Sequence, residues 1–186
     1  LTDLQAYQIR NAGPNPEPLK VAIAETIVCT GREADLDSTD TQVKQTLMMQ
    51  ATNTVQATAY SLYEENQFRY RRLLSSLRQQ VRNLKHFEGR KSLILFSDGF
   101  LADDVRFELQ EIVDASLRSG VVFNTLDIRG LYTPELDASK RGIISRRSDL
   151  FTTLSQKTQI RIEDMHQQDL PLHQLSHETG GIHIGN

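Results

Sequence analysis

Two short apolar runs separated by one amphipathic segment constrain this fold more than any other part of the 186-residue chain. The first, Leu93 to Phe96 within KSLILFSDGF, is too short for a helix and closes on the turn signal Asp98-Gly99. Such a run reads as a strand buried on both faces. The second is VVFNTLDI, Val121 to Ile128, bounded by Arg129-Gly130. Between them Val105, Leu109, Ile112, Val113, Ser116 and Leu117 share one helical face, with Asp103 or Asp104 as the expected N-cap and Gly120 as the C-cap. Strand, helix and strand in succession make a βαβ unit, with parallel strands and a right-handed crossover. Ligands of open α/β sheets bind outside the carboxyl ends of the strands. That rule directs attention to Asp98, and to Asp127 on the same edge.

The strongest periodic signal lies upstream. Val43, Leu47, Ala51, Val55, Ala59 and Leu62, then Tyr70, Leu73, Leu74, Leu77, Val81 and Leu84, recur at spacings of three and four. They predict one helix from Thr41 to Phe87, capped by Asp40 or Thr39 and kinked or broken near Glu64 to Gln67. Arg69, Arg71, Arg72, Arg78, Arg82 and Lys85 fall mostly off the stripe and read as a solvated face, with a basic docking surface as the alternative. Thr2 with Gln5 predicts a capping box for a helix through Ile9, and Pro16 to Pro18 open a second helix that Gly31 stops after Cys29. The acidic stretch from Arg32 to Asp40 reads as a surface loop. Past the βαβ unit, Tyr132 to Arg147 reads as a polar excursion, Leu150 to Met165 as a helix, and Leu172 to Glu178 as another, separated by Asp169-Leu170-Pro171. Gly180-Gly181 then release the chain into a third strand, Ile182 to Gly185.

This length suits a single domain spanning residues 1–186. A net charge of -3 leaves no overall basic field, which argues against nucleic acid as the main partner. No apolar run approaches the ~20 residues of a membrane span, so no membrane insertion is expected within these residues. The single cysteine, Cys29, lies in an apolar helical segment and reads as a small core residue. Neither a phosphate-cradling glycine loop nor a G-x-S-x-G nucleophile elbow occurs.

The order GRKSLILFSDGF, helix, VVFNTLDIRGL, helix ending in LSHETGG and short strand resembles the second half of a von Willebrand factor type A domain. It is most similar to the bacterial VWFA-related group, in which a phrase like LTDLQAYQIRNAG also occurs. The resemblance implies a doubly wound, Rossmann-like, largely parallel sheet flanked by helices. It also implies a Mg²⁺ site of oxygen ligands, one of them an aspartate after the fourth strand, which Asp98 matches. The chain departs from that pattern, because the Asp-x-Ser-x-Ser turn of the first strand is absent; DLDSTD, Asp35 to Asp40, is the nearest approach. Either that strand lies upstream of Leu1 or the site is degenerate. Asp98 in this position equally suits an aspartate that caps the turn after a strand.

A second constellation is His173, His177 and His183, at the spacing of the zinc motif H-E-x-x-H-x-x-G-x-x-H. Gln174 stands where that motif places its general base, and an amide cannot take a proton from zinc-bound water. A polar surface helix followed by an alternating strand accounts for the same letters. Three functions are therefore weighed: a non-enzymatic protein–protein interaction module, with or without a divalent cation near Asp98; a structural subunit of a larger assembly with a metal-free site; and a zinc-binding hydrolase relative. The first has another protein as its partner. By resemblance alone, the chain is expected to be extracytoplasmic.

Overall fold

The computed structural model describes residues 1–11, 13, 16–129 and 148–185; for residue 33 and residues 148–155 the backbone alone is described. The expected excursion from Tyr132 to Arg147 lies outside the described residues. The elements are α1 (Asp3–Asn11), α2 (Glu17–Cys29), a short 3₁₀ turn (Glu33–Asp37), α3 (Thr41–Leu84), β1 (Lys91–Ser97), α4 (Arg106–Ser119), β2 (Val121–Asp127), α5 (Ser148–Thr179) and β3 (His183–Ile184). This is a mixed α/β chain, mostly helical, with a three-stranded parallel sheet in the order β1-β2-β3. It divides into two compact units, residues 1–64 with 134–164, and residues 65–133 with 165–186.

The first unit is helical. Thr2 and Gln5 form the expected capping box: the Gln5 N–H donates to Thr2 Oγ1 at 3.2 Å and the Thr2 N–H to Gln5 Oε1 at 3.0 Å. A further free N–H of the first turn, that of Leu4, donates to the buried carboxylate of Asp164 at 2.6 Å. The core joins Ala6, Ile9, Leu19, Ala22, Ile23 and Ile27 to the stripe Leu47, Ala51, Val55 and Ala59 of α3. Asp40 caps α3 by accepting the Gln42 N–H at 2.8 Å. Cys29 differs from expectation. It is the last residue of α2 and is exposed, because the buried face ends with Ile27.

The second unit holds the sheet. Tyr70, Leu74, Leu77 and Val81 of α3, Leu109, Ile112 and Val113 of α4, and Leu172 and Leu175 of α5 are buried with Leu95, Val121 and Phe123 of the strands. The α4 N-cap is Val105, without a side-chain bond, so neither Asp103 nor Asp104 caps it; Gly120 ends the helix in the left-handed region at φ 63°. Leu117, expected on the inner face, is exposed.

Two expectations are corrected here. Pro171 does not separate two helices but lies inside α5. It removes one N–H from the helical ladder without ending the helix, and nearby the Gln168 carbonyl accepts the Phe100 N–H at 3.1 Å. Nor is β1 buried on both faces. Leu95 and Ser97 are buried while Ile94 and Phe96 are 62% and 61% exposed, and β2 alternates in step. Continuous apolar sequence made β1 look two-sided, yet among the described residues only one face is covered.

Candidate functional site

At the carboxyl edge of the sheet the chain turns after β1 through Ser97-Asp98-Gly99 and after β2 through Asp127-Ile128-Arg129. The two turns are tied by the Ile128 N–H, which donates to the Ser97 carbonyl at 3.1 Å. Gly99 is required: its φ is +89°, and a β-carbon there would lie 2.5 Å from the Gln168 carbonyl oxygen. Ser97 Oγ accepts the Gly99 N–H at 3.0 Å, so the serine closes this turn, while Asp98 stands exposed beside it.

The centre of the edge is Arg129. Its guanidinium forks onto Asp127, with Nε donating at 3.0 and 3.1 Å and Nη2 at 2.8 Å. Its Nη1 donates to the Met165 carbonyl at 2.9 Å and reaches Gln168 Oε1 at 3.5 Å, and Nη2 reaches Asp169 Oδ1 at 3.5 Å. The Arg129 side chain is 16% exposed and that of Asp127 3%. Asp127 also accepts the Arg129 backbone N–H at 2.9 Å, an Asx turn. Burial alone would raise the Asp127 carboxyl; the side-chain and backbone hydrogen bonds of Arg129, its charge and that of His183 outweigh burial and hold it below its ordinary value. Burial likewise opposes the charge of Arg129, but the bond to Asp127 and the charges of Asp127, Asp169 and Asp98 hold its pKa above the ordinary value.

A second chain of bonds runs beside it. His183 Nδ1 lies 2.8 Å from Thr125 Oγ1, and Nε2 lies 3.1 Å from Asp169 Oδ2. Thr125 Oγ1 is also 3.1 Å from the Leu172 carbonyl. The one hydroxyl proton goes either to Nδ1 or to Leu172; in the second case Nδ1 must itself donate, and the ring carries both protons.

Among the described residues, neither ion suggested by the sequence meets a gathered set of ligands. Mg²⁺ demands near-octahedral oxygens. Both Asp127 oxygens are occupied by Arg129. For zinc, His173 and His177 stack with ring centroids 5.7 Å apart, and His183 stands edge-on to His173 at 5.9 Å. Both nitrogens of His183 are engaged, and Gln174 donates to Glu178 at 3.0 Å. Among the described residues no group of three or more His, Cys, Asp or Glu side chains gathers as a metal site.

Of the residues singled out from sequence, Asp98 and Asp127 do share one edge. Arg129, Asp169 and Thr125, which organise it, carry no motif; the signal available was the Asp127-Ile128-Arg129 spacing, short enough for an arginine to fold back on its own strand end. Among the described residues, no helix is long and apolar enough to cross a membrane. No family model, curated protein or solved structure matches this chain.

Proposed function

We propose that this chain is a non-enzymatic protein–protein interaction module of the von Willebrand factor type A kind, which binds another protein through the open face of its sheet. One observation carries this reading. Phe96, Leu126 and Ile184 are register partners across all three strands, and with Ile94 and Ile182 they form a mostly exposed apolar face. Parallel sheets are ordinarily covered on both sides, and an apolar patch of contiguous large side chains marks an interaction surface. In this reading the sheet is half of a doubly wound arrangement whose second layer the bound protein supplies. The location inferred from the resemblance is extracytoplasmic.

A second reading, a structural subunit of a larger assembly, is favoured by a different observation. On α3, Met49 is 60% and Phe68 70% exposed, outside the buried stripe. One experiment separates the two. A photo-crosslinking side chain is placed at position 96 or at position 68, and adducts formed in an extract of the source cells are compared. Adducts specific to position 96 support the module; adducts specific to position 68 support the subunit. Identical adducts from both positions would reject both.

A further inference from the structure

We propose that the guanidinium of Arg129 serves as the resident cation of the sheet edge, doing there the electrostatic work that the family resemblance assigns to Mg²⁺, so that this edge is independent of divalent cations. The edge brings two carboxylates under the charge of one arginine, Asp127 by direct fork and Asp169 at 3.5 Å, while Asp98 stands at the turn after β1 on the same edge. Carboxylates collected at one edge repel each other unless a cation lies among them. A metal ion would come from solvent; Arg129 is delivered by the chain itself, two residues beyond Asp127, and is anchored to α5 by the Met165 carbonyl.

The donor geometry explains why nothing further is needed. The five guanidinium N–H groups meet Asp127, Asp169, Gln168 and the Met165 carbonyl. Both oxygens of Asp127 are thereby used, and a dication arriving beside Asp98 would meet a like charge already in place. The arginine also does something a solvent ion would not: it links the end of β2 covalently to the neutralising charge, so neutralisation and attachment of β2 to α5 are one event.

The test is the melting temperature of the whole chain in excess magnesium or manganese chloride and in EDTA. The expected result is the same value in all three. A rise that saturates with magnesium and is absent in Asp98→Ala would overturn the proposal. A second arm reads the arginine directly. Arg129→Met should lower the melting temperature by several degrees, because it leaves a buried carboxylate unpaired. Adding Asp127→Asn should restore part of that loss, since a neutral amide needs no cation. If the double variant is no more stable than the single one, Arg129 is not neutralising Asp127 and the proposal fails. Should Arg129→Met not fold, Arg129→Lys, which keeps the charge without the fork, is expected to fold and to remain indifferent to magnesium; a magnesium response in it would count against the proposal.

Discussion

A β-carbon placed on Gly181 would stand 1.8 Å from the carbonyl oxygen of Phe123. The backbone after α5 thus passes against β2 with no room for any side chain. Gly181→Ala must push the segment leading into β3 away from β2, at a cost of about 3 kcal/mol. Urea unfolding should show a lower midpoint with an unchanged slope. A midpoint equal to that of the parent chain would mean the approach is looser than described.

Thr125, 2% exposed, gives one hydroxyl to two neighbours, the His183 ring at 2.8 Å and the Leu172 carbonyl at 3.1 Å. Thr125→Val keeps the shape and removes the oxygen, leaving His183 Nδ1 without this partner. A loss of about 1–2 kcal/mol is expected. Thr125→Ser keeps the oxygen and should lose clearly less; equal losses would assign the effect to packing instead.

Acid should destabilise the chain in part through Asp127. Its folded-state pKa is depressed below the ordinary aspartate value of 3.8, so its contribution is complete above that value and disappears as pH falls through the lower folded one. Melting temperatures measured from neutral pH downward should fall less steeply in Asp127→Asn. Parallel curves would remove Asp127 as a source of the acid limb.

Phe96→Ser and Ile184→Ser alter side chains 61% and 60% exposed, so in the isolated chain they should change stability by no more than about 0.5 kcal/mol. They should instead weaken the binding of a fluorescent hydrophobic dye to the native chain. A large stability loss would show that the face is covered in solution.

Local signals in the sequence were reliable where the physics is local. The Thr2–Gln5 capping box, the Asp40 cap, the α3 stripe and the Gly120 terminus all follow from residues within one turn of each other. The parallel pairing of β1 and β2 followed from the strand–helix–strand order. Burial was harder to read. Ile94 and Phe96 are as apolar as Leu95, and sequence carries no record of which neighbour covers them. Pro171 misled for a related reason. Whether a proline ends a helix depends on the packing around it, and the partners that bury Leu172 and Leu175 just beyond Pro171 are far away in sequence. At the edge, Asp98 lies beyond β1 as expected, but the side chains that organise the edge, Arg129 and Asp169, come from other elements.

The third strand meets β2 at only two register positions, Thr125 with His183 and Leu126 with Ile184. So short a ladder holds little by itself. The segment is held by one further backbone bond, the Thr125 N–H donating to the Ile182 carbonyl at 2.9 Å, and by side chains: Asn124 Oδ1 accepts the Ile182 N–H at 3.0 Å, and the His183 ring is bound at both nitrogens. An amide and an imidazole thereby supply a large part of what makes the sheet three-stranded and not two-stranded. In amide exchange, β1 and β2 should protect one another as a pair, while the residues after Gly181 open earlier, as a separate and weaker latch.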